Sequence, residues 1–263
     1  MSNNILSVLK KDHIRRMMLE GRRGDGRGFE EMRPIEIRTR VIDKAEGSAY
    51  VKYGETKVIV GIKLQKGEPF GDSPGEGVIM TGMELNPIAS PEFEPGPPKE
   101  DAIEMARIVD RGIRESHAID LEKLCIKHGE AVWIVFIDIS VLNDDGNIVD
   151  ASALAALAAL AALKTTTVPA DEENGFASCP LPVRELPVSV TVASLCGELI
   201  IDPSLDEEAV CDTKLTVITN SLGALSGMQK SGSGPLPVET VRRMVDMARD
   251  RARVMRTEFL NDI

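Results

Sequence analysis

The stretch that decides the fold is Asp145-Gly146-Asn147-Ile148-Val149-Asp150, with the run Ala151-Ser152-Ala153-Leu154-Ala155-Ala156-Leu157-Ala158-Ala159-Leu160-Ala161-Ala162-Leu163 behind it. Ala and Leu are the strongest helix formers, so the run predicts a helix. It is apolar on every face, which places it inside a core rather than on a surface. It is too short to cross a bilayer, which takes about 20 apolar residues. Asp150 stands where an N-cap is expected. The start of a buried helix is a natural anion site, because its first N–H groups are free and its dipole is positive there. Whether that site is open or closed decides what chemistry the chain can do.

Upstream, the pattern is mostly of period two. Ile35, Ile37, Thr39 and Val41 alternate with polar residues, and Ala49-Tyr50-Val51 and Lys57 to Ile62 flank Tyr53-Gly54-Glu55-Thr56. This predicts a three-stranded antiparallel meander with a tight glycine turn. Further strands are expected at Val78 to Leu85 and Ala131 to Leu142. Between them lies Asn86 to Lys99, with five prolines, which must run extended. A helix follows from about Glu100 to Ser116, with Ala102, Ala106, Val109 and Ile113 as an apolar stripe and Arg107, Arg111 and Arg114 roughly opposite. The N-terminal residues Asn3 to Glu20 predict another helix, with Ile5, Leu6, Leu9, Ile14, Met17 and Met18 among Lys and Arg, ended by Gly21. The glycine-rich basic loop Arg22 to Gly28 reads as a flexible linker.

Downstream, Pro169 to Leu181 reads as a linker and then the pattern repeats. Strands are expected at Pro187 to Ala193, Leu199 to Asp202, Leu215 to Asn220 and Ala224 to Gly227. A final amphipathic helix over Pro237 to Leu260 turns Val241, Val245, Ala248, Ala252, Met255 and Phe259 inward. Each half therefore runs strands first and helices after, which predicts two similar α/β units packed face to face. The expected divisions are an N-terminal helix and basic loop over 1–28, a first unit over 29–168 and a C-terminal unit over 185–263.

Composition bounds the function. With 43% hydrophobic residues and only 3% aromatic, the core must be aliphatic. A net charge of −11 argues against a generic nucleic-acid coat but leaves room for a local basic patch. Cys125, Cys179, Cys196 and Cys211 form no CxxC pair, and His13, His117 and His128 have no ligand set around them. No zinc site, other metal or cofactor is expected, and free thiols in a reducing cytoplasm are the default. No signal peptide or membrane span is visible.

Four features remain as chemical candidates. Asp202, Asp206, Glu207, Glu208 and Asp212 are either a magnesium-binding group or a solvated turn; as a calcium loop they fail, since Glu207 stands where glycine is required. Arg107, Arg111 and Arg114, at i, i+4 and i+7, span about 10 Å, a few phosphates' length, or are an ordinary charged face paired with Glu104, Asp110 and Glu115. Lys10, Lys11, Arg15, Arg16, Arg22, Arg23 and Arg27 could meet RNA or an acidic subunit, or simply face solvent. Ser231-Gly232-Ser233-Gly234-Pro235 lacks the context of a P-loop and reads as a turn. No catalytic triad, Cys/His pair or HExxH motif is present.

Several segments carry a family resemblance: Arg23-Gly24-Asp25-Gly26-Arg27, Glu31-Met32-Arg33-Pro34-Ile35, Gly47 through Val58, and Arg107-Ile108-Val109-Asp110-Arg111-Gly112-Ile113-Arg114. Together they resemble the ribonuclease PH family over nearly the whole chain, about residues 20 to 260. Phe93-Glu94-Pro95-Gly96-Pro97-Pro98 and Ile201 through Glu208 are similar to the archaeal exosome branch that lacks its own active site. The resemblance implies two βαβα-type units of the ribosomal protein S5 domain 2-like kind. It implies a family activity, phosphate-driven shortening of RNA from the 3′ end, in which an arginine-bearing turn at a helix start holds the phosphate. Here the matching turn is Gly146-Asn147-Ile148-Val149, with Val149 in the arginine's place and Asp150 next, so a degenerate phosphate site is expected at Asn147, Ile148, Val149 and Asp150. The family's catalytic aspartate falls at Asp212 or Thr213. No catalytic residue is therefore expected in this chain. It would alternate with a catalytic relative in a trimer of heterodimers, under RNA-binding cap subunits, and its Arg107, Arg111 and Arg114 would face single-stranded RNA. The alternative is an active phosphorolytic 3′ to 5′ exoribonuclease with an unusual phosphate pocket.

Overall fold

A computed structural model of the chain describes residues 2–163 and 167–260. The first helix, α1, spans Ser2–Leu19. The side chains of Ile5, Leu6, Leu9 and Lys10 lie outside the described residues.

β1 (Ile35–Thr39), β2 (Gly47–Tyr53) and β3 (Thr56–Gly67) form the antiparallel meander. Tyr53 pairs with Thr56 across Gly54, whose φ of +62° suits glycine. β4 (Val78–Leu85) leads through the proline-rich strap to α2 (Glu100–Glu115), then β5 (Cys125–Lys127) and β6 (Ala131–Asn143). The sheet order is β1-β2-β3-β6-β4, with β5 on β6. β4 runs parallel to β6, as a helical crossover allows. β3 shows why the sheet faces one core: Val58, Val60 and Ile62 alternate and are fully buried.

α3 (Ile148–Ala162) packs on β2 and β3 with one side. Two short strands follow, β7 (Thr167–Val168) and β8 (Cys179–Pro180). The second sheet, in the order β10-β9-β11-β12, is built from β9 (Val188–Leu195), β10 (Glu198–Ile201), β11 (Thr213–Thr219) and β12 (Leu225–Ser231). The one-turn α4 (Leu205–Glu208) joins β10 to β11. α5 (Val238–Met255) covers β9 and β11 and buries Met244, Ala248, Ala252 and Met255. α3 lies between the two sheets, with β9 and α2 on its other side, so nearly every residue in it is buried. Its alanines fit this position. Gly47 of β2 approaches so closely that a Cβ there would lie 2.7 Å from the Ala159 carbonyl oxygen.

The segment 169–181 is not the open linker its composition suggests. β7, just before it, pairs with β8 inside it, Asp171 forms an ion pair with Lys66 at 2.6 Å, and Phe176 packs on Trp133 with ring centroids 6.5 Å apart. Apolar anchors at Val168, Phe176 and Leu181 fix what the acidic residues alone would leave solvated.

Candidate functional site

The turn before α3 is fixed by its backbone. Gly146 has φ +85°, and a Cβ there would meet the Leu205 nitrogen at 2.3 Å. The Asp145 carbonyl accepts from Leu205 N at 3.0 Å and from Arg33 Nη1 at 2.6 Å. The Gly146 carbonyl accepts from Thr56 Oγ1 at 2.7 Å and Arg33 Nη2 at 3.2 Å. Asn147 takes the left-handed conformation, φ +54°, a region that asparagine tolerates better than most residues.

Below the turn lies a buried set of ion pairs. Arg33 grips Asp202 with both prongs, Nε to Oδ2 at 2.9 Å and Nη2 to Oδ1 at 2.7 Å. Arg27 Nη1 reaches the same Oδ2 at 2.9 Å, and Asn147 Nδ2 donates to Oδ1 at 2.9 Å. Arg23 forks onto Glu207 at 2.9 and 2.6 Å and caps the carbonyls of Ile201 and Asp202. Burial opposes the Arg33 charge, but Asp202 more than offsets this, and the Arg33 pKa is raised.

Three expectations change here. The loop 22–28 is no flexible linker, because Arg23 and Arg27 are pinned into the fold. Those two arginines do not face RNA or solvent. Nor is the acidic run simply a solvated turn, since Asp202 and Glu207 are buried. Asp202 and Glu207 are held by arginines, Glu208 pairs with Lys214 at 2.6 Å, and Asp212 Oδ2 accepts from Cys196 N at 3.3 Å. No cluster of His, Cys, Asp and Glu suited to a metal occurs among the described residues.

Asp150 is not the N-cap. The helix begins two residues earlier, and Asn147 occupies the cap position with no side-chain cap bond. The Asp150 carboxylate instead points to the second sheet. It accepts from Thr191 N at 2.6 Å, Ser189 Oγ at 2.9 Å, Thr191 Oγ1 at 2.9 Å and Asn147 Nδ2 at 3.0 Å. Burial pushes its pKa up, and these bonds offset part of the rise. The residue thus joins α3 to β9.

Beside this turn a groove of about 610 Å³ opens between the proline strap, the start of α2 and β11. Ile148 and Val149 present aliphatic side chains into it, where an anion would need a cation. The strap and strand β4 contribute Glu84, Glu92 and Glu94; α2 adds Asp101 and Glu104; the turn before α3 adds Asp144 and α4 adds Glu208. Against these seven carboxylates stand two lysines, both paired, Lys99 with Glu94 and Lys214 with Glu208. Burial raises the pKa of Asp144, helped by the charges of Asp145 and Glu92. Lys214 and Thr216 are the β11 residues that line the groove, and Asp212 does not. The carboxylate lining escapes sequence reading, because it comes from five elements, β4, the strap, α2, the turn before α3 and α4.

The three arginines of α2 diverge. Arg114 is tied to Asp110 at 3.1 Å and donates to the Ile79 carbonyl. Arg111 donates to Gln229 Oε1 of β12 at 2.7 Å. Arg107 is exposed and has no hydrogen bond or ion pair among the described residues.

Comparison with known proteins places this architecture. The 3′ exoribonuclease family matches in two parts, its domain 1 over residues 31–166 and its domain 2 over 185–251. An "exosome complex component Rrp42" from Methanosarcina acetivorans is 56% identical over 261 residues, 99% of this chain and 97% of that protein. Its namesake from Archaeoglobus fulgidus is 50% identical over 98% of this chain and 99% of its own length. Among solved structures, the Archaeoglobus fulgidus exosome with RNA bound to the active site contains a chain that superposes with a TM-score of 0.90 at 50% identity, covering 97% and 99% of the two chains. An archaeal exosome core gives a TM-score of 0.86 at 46% identity, covering 99% and 100%.

Proposed function

The chain belongs to the 3′ exoribonuclease, or ribonuclease PH, family, and from that premise we propose that it is the ring-forming, RNA-contacting exosome subunit that does no chemistry itself. It is an exosome component, a ring subunit of a ribonuclease complex. The observation that carries its inactivity is the groove at the start of α3. That groove offers an incoming phosphate an aliphatic pair, Ile148 and Val149, seven carboxylates and, among the described residues, no free cation. The degenerate phosphate site is Asn147, Ile148, Val149 and Asp150, with Asp150 bound to β9 and Asn147 to Asp202.

In this reading the chain alternates with a catalytic relative, three copies of each, beneath RNA-binding caps in the cytoplasm. No helix among the described residues is long and apolar enough to cross a membrane. Residues 29–168 and 185–263 act as its two structural units, with 1–28 as an N-terminal attachment. RNA in the channel meets Arg107 and Arg111 first, because neither is neutralised, and Arg114 more weakly, because Asp110 shares its charge.

Two measurements test this. The native mass of the complex formed with the catalytic subunit should be that of six chains. A complex carrying Arg107→Glu and Arg111→Glu should assemble normally, bind RNA less tightly, and lose about one unit of salt slope per lost phosphate contact. RNA binding unchanged at moderate salt would make these arginines surface decoration.

A further inference from the structure

The groove at the start of α3 is closed to anions, but it is not featureless. It has the volume of a ligand site, about 610 Å³, and its charge is strongly one-sided. Of its carboxylates, Glu84, Glu92, Asp101 and Glu104 have no ion-pair partner among the described residues. Between them the lining is apolar, with Phe93, Pro97, Met105 and Ile148. At the floor, Asn147 is 2% exposed. Its Nδ2 is held by Asp150 and Asp202, neither of which lines the groove, and its Oδ1 is enclosed without a donor. A buried acceptor without a donor costs about 1–3 kcal/mol, so a donor supplied from the groove would be stabilising.

The geometry points to a binding site for a linear aliphatic polyamine in this groove. Such a ligand carries only donors, matches carboxylates with its ammonium groups and lays methylenes on the apolar lining. A basic peptide suits the site less well. It would bring backbone carbonyls into a groove whose two ammonium groups are already paired. The inference rests on the groove alone, and neither ring assembly nor the absence of catalysis is needed for it.

Spermine titrated into the full chain by calorimetry at low salt tests the site. One molecule should bind per chain. The variant Glu84→Gln/Glu92→Gln/Asp101→Asn/Glu104→Gln should weaken binding by about tenfold or more, since these charges face the ligand directly. A control that removes four remote charges, Glu122→Gln/Glu172→Gln/Glu173→Gln/Glu198→Gln, should change affinity by about twofold or less at equal net charge. Equal weakening in both variants would mean diffuse attraction to an acidic chain and would overturn the proposal, as would no binding at millimolar spermine. Tetralysine binding more tightly than spermine would overturn the polyamine assignment in favour of a peptide.

Discussion

At the scale of residues, Asp202 is the centre of the fold's polar interior. It is fully buried, sits at φ +52°, and receives Arg27, Arg33 and Asn147. Asp202→Ala would strip buried Arg33 and half-buried Arg27 of their shared carboxylate, leaving each only a more exposed partner, Asp145 or Asp25, and should cost about 3–5 kcal/mol in urea unfolding. Asp150 behaves differently. Its folded pKa is raised by burial, so the folded chain takes up a proton at a pH where the unfolded chain does not. Its contribution therefore increases stability as pH falls toward the ordinary value of 3.8, and disfavours folding above the raised pKa. Relative to Asp150→Asn, the natural chain should gain stability on mild acidification, and the pH dependence of the difference in unfolding free energy measures this. These roles were only partly legible in the sequence. Asp150 stood out as a carboxylate at a helix start, but its partners Ser189 and Thr191 lie about forty positions away. Arg23 and Arg27 read as a basic loop because their partners, Asp202 and Glu207, come from the other end of the chain.

At the scale of elements, α3 organises the molecule. Period, composition and length made this helix readable, since an apolar run without a polar face has only a core to occupy. The meander β1-β2-β3, the stripe of α2 and the length of α5 were readable for the same reason, each having one clear period. The short strands β5, β7 and β8 and the one-turn α4 were not, because they are held by tertiary contacts rather than by local pattern. The close approach of β2 to α3 sets a sharp limit on side-chain size. Ala158 is fully buried, so Ala158→Leu should overpack the layer and cost about 1–3 kcal/mol, read as a lowered unfolding midpoint with the secondary structure retained. An equally stable variant would mean that α3 has spare room on its sheet-facing sides.

At the scale of the whole molecule, the chain has its family's architecture, and the pocket beside α3 is lined by seven carboxylates and two paired lysines. That Val149 stands in an arginine's place was readable only as an expectation from the family resemblance. The seven carboxylates around it were not readable, because β4, the strap, α2, the turn before α3 and α4 meet only in the folded protein. This has a direct consequence: Val149→Arg by itself should not create phosphate binding, since the new guanidinium would pair with Asp144 or Glu208 before any anion. Phosphate titration of that variant by calorimetry should give no heat beyond that of the natural chain. We propose that chemistry belongs to the partner and not to this chain. This is tested most directly by incubating the purified chain with single-stranded RNA, magnesium and inorganic phosphate, alone and with the catalytic subunit, and measuring released nucleoside diphosphate. The account predicts no release by the chain alone and robust release by the complex; steady phosphorolysis by the chain alone would contradict it.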